Sequence, residues 1–381
     1  MRFSAVLAAT VALLATPILG SPGAPLVDIE KYNGNVKQGS YIVKLKSDVS
    51  KTSYLSWLSQ YISTGSNVTH TEWDPTLLNG FAGTFSADVL KVLRAHRDVE
   101  SISEDGIMSI YTTQNNAPWG LARLSTNSKL ANQNPDALTF TYNFASPAGS
   151  GVDIYIVDTG IFTNHFDFGG RATFGATFGG YPSADGNGHG THVAGTAAGN
   201  QFGVAKSANL IAVKVLDDNG ISGLNFVLNS AQSSGRPSIA SMSLGGGAST
   251  PLDNAVATLT TVGIHVTVAA GNSDVDARDT SPARAPSAIT VGAMNIGDAK
   301  SSFSNFGAVV DIWAPGERII SAGIDGPTAT PHVAGLVAYF ISVNGNQLPA
   351  LMSTFLKTKS IQGVISGIPG GTINALARND Q

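Results

Sequence analysis

Three short segments of this 381-residue chain carry side chains suited to proton transfer and oxyanion chemistry, two of them where an apolar run meets a glycine and one between glycines ahead of a helix-like segment. The first is Ile154-Tyr-Ile-Val-Asp158-Thr-Gly160, where a carboxylate closes a fully apolar run and a turn glycine follows. An aspartate there is a candidate catalytic group and equally an ordinary turn or helix cap. The second is Asp185-Gly-Asn-Gly-His189-Gly-Thr-His192-Val-Ala-Gly195, in which glycines flank His189 and let backbone pack close to its imidazole. His189 and His192 stand three apart, but no acidic residue falls at helical spacing to complete a zinc site, so His192 reads as a packed or capping residue. The third is Val266-Thr-Val-Ala-Ala-Gly271-Asn272, which ends on an amide side chain able to donate a hydrogen bond. One such donor to a developing oxyanion is worth about 3–4 kcal/mol, although Gly-Asn by itself is a common turn.

The elements that must hold these groups are legible as alternating patterns. Strand-like runs fall at Val152–Val157, Leu210–Val215, Ile239–Met242, His265–Ala270 and Ile289–Ala293, with helix-like segments at Gly190–Ala198, Leu252–Val262 and Pro331–Val343. Strands alternating with helices predict an α/β domain, a parallel β-sheet with helices on both faces. Chemistry in such sheets collects beyond the carboxyl ends of strands, where all three segments lie. The region before it differs. Tyr41–Lys46 alternates like a half-buried strand, Val89–His96 spaces its apolar residues like a helix face, and Val99–Ile110 alternates again. That content predicts a small α+β domain.

Composition narrows the class. Hydrophobic residues make up 43% and charged residues 13%, which fits a globular protein rather than a disordered one. A net charge of −4 without a Lys/Arg run gives no reason to expect nucleic acid. Arg2 followed by the apolar run Ala5–Leu14 and small residues up to Gly20–Ser21 reads as a signal peptide, residues 1–20, and so predicts a secreted, extracellular protein. No later run reaches the ~20 apolar residues of a membrane helix. There are no cysteines, which excludes disulfides and thiolate chemistry and leaves calcium on oxygen ligands as the expected stabiliser. The sequon Asn67-Val68-Thr69 makes Asn67 the candidate glycosylation site.

Taken together and in order, these segments resemble the subtilisin-like serine protease family, in particular its proteinase K branch. Further matches are Asn116-Ala-Pro-Trp-Gly-Leu-Ala-Arg123, Ser243-Leu-Gly-Gly246, Ser301-Ser-Phe-Ser-Asn-Phe-Gly307 and Thr330-Pro-His-Val-Ala-Gly335. The resemblance runs from the Tyr41 strand to Asn379 and implies roles. Asp158 would orient His189, His189 would act as general base and then acid, and Asn272 would donate to the oxyanion. Ser243, Leu244 and Gly245 would pair with substrate backbone as an added strand. Ala269, Ala270 and Gly271 would form part of an open apolar pocket for the side chain before the cut bond. The carbonyls of Pro286 and Ala288 with the carboxylate of Asp311 would hold calcium. Residues 21–111 would be a ferredoxin-like inhibitory propeptide, cut near Tyr111–Thr112, and residues 112–381 the peptidase domain. The implied partners are protein or peptide substrates and the chain's own propeptide, with a monomer expected.

One position breaks the pattern. The family places its nucleophile in Gly-Thr-Ser-Met-Ala-Thr-Pro-His, whereas this chain has Asp325-Gly-Pro327-Thr-Ala-Thr-Pro-His332. Proline offers neither a hydroxyl nor a backbone N–H. The stretch from Asp311 to His332 is about eight residues short of the family pattern, and the one after Asp217-Asp218-Asn219-Gly220 about seven short. Thr328 and Ser321 are poorly placed to replace the serine, Thr328 being turned about 100° around a helix. Three readings follow: an ordinary secreted serine endopeptidase whose sequence as written is faulty, for instance through a misread intron, a catalytically inactive paralogue acting as a peptide-binding or decoy protein, and a structural protein that keeps the fold. Intact Asp158, His189 and Asn272 favour the first, and two separate deletions favour the second.

Overall fold

Alternation in the strand Asp153–Asp158 sends Ile154 and Ile156 to one side of a sheet and Tyr155 and Val157 to the other, and all six residues are buried. A strand covered on both faces belongs at the centre of a sheet, and there it is found in the computed structural model. The structure describes residues 26–32, 36–62, 65–106, 110–215, 220–323 and 329–380. The signal stretch 1–20, Asp217-Asp218-Asn219, Pro327 and Thr328 lie outside the described residues.

The sheet has nine strands. From one edge they run Ile361–Gln362, Ala375–Leu376, Ile312–Pro315, Ile289–Met294, His265–Ala269, Ser238–Met242, Asp153–Asp158, Asn209–Lys214 and Ala172–Thr177. All neighbours pair in parallel except the first two. Helices His189–Ala198 and Thr330–Asn344 cover the Ile154 side, packing Val193, Ala197, Val333 and Val337 into it. Helices Ile221–Ser234 and Thr250–Thr261 cover the Tyr155 side with Leu224, Val227, Val256 and Leu259. The expected parallel sheet with helices on both faces is present, and the five expected strands and three expected helices fall within a few residues of their reading. The helix Ile221–Ser234 and the edge strands were not anticipated.

Contacts divide the chain into residues 1–108 and 109–381. The first unit is a five-stranded sheet ordered Ile29–Glu30, Val99–Gly106, Val36–Leu45, Gly80–Thr84 and Asn67–His70, with helices Lys51–Leu58 and Ala87–Ala95. Helix Ala87–Ala95 starts where Ser86 Oγ accepts from the Val89 N–H, and it buries Val89 and Leu93 against Phe81 and Ile102. Asn67 is exposed, on an edge strand rather than a loop. In the second unit, Ile110–Ala117 pairs antiparallel with Phe140–Ser146, setting Tyr111 opposite Ala145 and Thr112 opposite Phe144. No helix among the described residues is long and apolar enough to cross a membrane.

Candidate active site

Three adjacent parallel strands deliver the site. Ser238–Met242 lies between Asp153–Asp158 and His265–Ala269, so Asp158, Ser243 and the Ala269–Asn272 turn emerge side by side at their carboxyl ends. Asp158 is 2% exposed. Its Oδ1 accepts from the Thr159 N–H and from His189 Nδ1–H, each at 2.7 Å. With Nδ1 donating to the carboxylate, Nε2 is the ring nitrogen left to take a proton. Its Oδ2 is buried with no donor among the described residues.

His189 opens its helix directly after Gly188, whose φ of 94° calls for glycine. Gly190 is required too, because a Cβ there would fall 2.1 Å from the Gly160 carbonyl oxygen. The hydrogen bond to Asp158 raises the His189 pKa above the usual histidine value. Burial opposes that rise, and the charges of Asp158 and Asp185 add to it.

The sequence reading quoted Asp185 in the histidine segment but gave it no role. Its Oδ1 accepts from Thr159 Oγ1 at 2.8 Å and from the N–H groups of Asn187 and Gly188 at 3.1 and 2.8 Å. Its Oδ2 accepts from the N–H and Oγ1 of Thr191 at 3.0 and 2.5 Å. Burial acts to raise its pKa, but the hydrogen bonds from Thr191, Gly188 and Thr159 outweigh that and hold it below the usual carboxylate value. Thr159 Oγ1 also accepts from the Gly190 N–H at 2.8 Å. Asp158 and His189 are thus braced from behind by one Asp185-centred network. His192 is 1% exposed and meets the Ile319 carbonyl at 2.9 Å through Nε2, a packed residue as expected.

On the far side, Ser243, Leu244, Gly245, Ala269, Gly271 and Asn272 line one cavity of about 460 Å³. A smaller cavity of about 40 Å³ beside it is bounded by His189, Ser243, Ala270, Asn272, Ala329 and Thr330. The residues read from sequence as base, oxyanion donor and substrate wall are therefore gathered around one cleft, which the start of helix Thr330–Asn344 also faces. Ser321 is not a substitute nucleophile: its Oγ donates to the His192 carbonyl at 2.8 Å. Asn305, unassigned in the sequence reading, is 2% exposed and braces the Asn272 turn. Its Nδ2 donates to the Ala270 carbonyl at 2.9 Å, while its Oδ1 accepts from the N–H groups of Ser273 and Val275 at 3.0 and 3.1 Å.

The expected calcium ligands lie at the other end of the sheet. Pro286 and Ala288 precede the strand Ile289–Met294, and Asp311 precedes the neighbouring Ile312–Pro315. Their oxygens are of the kind calcium takes, but both carboxylate oxygens of Asp311 are engaged. Oδ2 accepts from the Thr290 N–H at 2.9 Å, and Oδ1 from Lys357 Nζ at 3.0 Å. An ammonium on the ligand oxygen does not fit a calcium ion bound there at the same time. Among the described residues no group of three or more His, Cys, Asp or Glu side chains could hold a metal.

Residues 149–372 match the sequence model of the subtilase family, and residues 40–111 match that of peptidase inhibitor I9. The chain is 40% identical to a cuticle-degrading protease of Metarhizium anisopliae, with 100% of each covered. It is 41% identical to Proteinase R of Parengyodontium album, covering 94% of this chain and 93% of that one. The alignment to the first spans 399 positions against 381 residues here, so that relative carries residues this chain lacks. Among solved structures, a cold adapted subtilisin-like serine proteinase superposes with a TM-score of 0.62 at 40% identity, covering 69% of this chain and 98% of its own.

Proposed function

Because the chain belongs to the subtilase family and carries an I9-type propeptide domain, we propose that it is a secreted serine endopeptidase zymogen by construction, whose cleft binds peptides but which, with Pro327 at the nucleophile position, does not hydrolyse them. The observation that carries the endopeptidase reading is the 2.7 Å Asp158–His189 contact beside a cleft walled by Asn272. Given an attacking hydroxyl, which Pro327 does not supply, a ring with its proton on Nδ1 would take that hydroxyl's proton on Nε2. Asp158 would steady the imidazolium that results, and the Asn272 amide would donate to the carbonyl oxygen as it gains charge. The protonated ring would then return the proton to the leaving amine.

Loss of the serine in such a triad costs about a millionfold in turnover. Here the hydroxyl and the backbone donor of the same residue are lost together. The second reading, a working endopeptidase, is favoured by the intact base and oxyanion donor. The experiment is expression of the 381-residue chain, treatment with a fluorophosphonate probe, and mass measurement. No labelling and retention of the propeptide are expected. Stoichiometric labelling of any hydroxyl would establish a working nucleophile and the second reading.

A further inference from the structure

The small, apolar wall at Ala269–Gly271 suggests a cleft for an apolar side chain, but the opposite wall carries a carboxylate. Asp279 and Thr280 line the same 460 Å³ cavity as Ser243, Gly271 and Asn272. Asp279 ends a short turn, Ala277–Asp279, and the next two residues form a strand. That strand pairs antiparallel with Gly246–Gly247, matching Thr280 to Gly247. Gly246 and Gly247 themselves line the cavity, so Asp279 is tied to the wall by a ladder next to the Ser243–Gly245 segment.

The neighbouring acids are already neutralised. Asp274 accepts from Lys300 Nζ at 2.6 Å, and Asp276 holds the Arg278 guanidinium at 3.1 Å. Asp279 has no ion-pair partner among the described residues. The cavity lining thus includes one carboxylate that has no ion-pair partner among the described residues. A lysine or arginine side chain has the matching shape and charge: its methylene stem lies along Ala269 and Gly271, and its cationic head reaches the carboxylate.

We propose that Asp279 makes this cleft selective for peptides with a basic residue at the position before the bond to be cut. The proposal rests on the reading of the cavity as the substrate cleft. Peptides acetyl-Ala-Ala-Pro-Lys, -Phe and -Glu are titrated calorimetrically into the full chain and into Asp279→Asn. The Lys peptide is expected to bind about fivefold more tightly than the Phe peptide, the gain a partly exposed ion pair gives. Asp279→Asn abolishes that margin, and added salt narrows it in the parent. Equal binding of Lys and Phe peptides, or a margin that survives Asp279→Asn, overturns the role of Asp279 and leaves the cleft reading intact. Failure of all three peptides to bind both the full chain and the chain from which an added protease has removed the propeptide overturns the cleft reading itself.

Discussion

Asn305 and Gly271 are fitted to each other. The Asn305 N–H donates to the Gly271 carbonyl at 2.9 Å, and a Cβ on Gly271 would fall 2.4 Å from Asn305 Nδ2. With φ at 108°, Gly271 is also in a conformation that other residues rarely adopt. The turn that presents Asn272 to the cleft is therefore shaped from behind by one buried amide.

Asn305→Ala removes three side-chain hydrogen bonds at a buried site, each worth about 1 kcal/mol net, so a loss of about 2–4 kcal/mol is expected. The shift of the urea midpoint measures it. Asn305→Asp keeps the acceptor for Ser273 and Val275 but loses the donor to Ala270, and should fall between parent and alanine variant. An alanine variant as stable as the parent would remove Asn305 as the brace.

Asp158→Asn should lower the His189 pKa. The parent ring is raised chiefly by its hydrogen bond to the carboxylate, against the opposing effect of burial. Because the folded pKa is raised, the stability this pair contributes is full at pH below the unfolded histidine value and is lost as pH rises through the folded one. In the variant burial dominates, so the titration midpoint followed by NMR of the imidazole Cε1 proton moves down. A midpoint unchanged by the substitution would show that the 2.7 Å contact carries no charge stabilisation.

Lys206 predicts a pH dependence in the alkaline range. Its ammonium sits 5.4 and 5.5 Å from the rings of Tyr142 and Phe144 and donates to the Asn200 carbonyl at 3.0 Å. Burial brings its pKa down from 10.5 to about 7. The folded state binds fewer protons than the unfolded between those values, so stability rises with pH across that window. Lys206→Met should be more stable than the parent at pH 7, with the difference closing as pH approaches 10. Denaturant midpoints at several pH values test this, and a difference that does not change with pH would reject it.

How much of this was readable in advance differs by type of residue. Asp158 and Asn272 stood out because each meets a glycine at the end of an apolar run, and His189 because glycines flank it, all local signals. Asp185 and Asn305 did not, because what marks them is the number of distant N–H groups that converge on them, and no spacing encodes that. The helix Ile221–Ser234 does carry Ile221, Leu224, Val227 and Ala231 on one face, but serine and asparagine dilute the pattern, and attention to a short segment obscured it. Lys357 and Asp279 are ordinary charged residues in the sequence. Only folding sets one against Asp311 and the other on the cleft wall.

Calcium and Lys357 should compete for Asp311, since both need its Oδ1. In Lys357→Met that oxygen is released, and calcium is expected to raise the melting temperature relative to chelator. The parent should melt alike in both. A ligand confined to the folded state adds ~2.7 kcal/mol at a hundred times its dissociation constant, a readily measured shift. A parent that melts several degrees lower in chelator would show that the ion displaces the lysine.

If the chain is cut near Tyr111–Thr112, the pairing of Ile110–Ala117 with Phe140–Ser146 would set the pace of that cut. A protease acts on a strand it can draw out and lay along its own edge, and Tyr111 and Thr112 are already held against Ala145 and Phe144. Any cut between them proceeds from the locally opened ladder, whose population is set by the strength of that pairing. With processing protease scarce, the rate follows protease concentration multiplied by the opening equilibrium. With protease in excess, it levels off at the speed of opening itself. Substitutions in Phe140–Ser146, remote from that bond in sequence, would therefore retime removal of the propeptide by another protease without touching either the protease or the bond it cleaves.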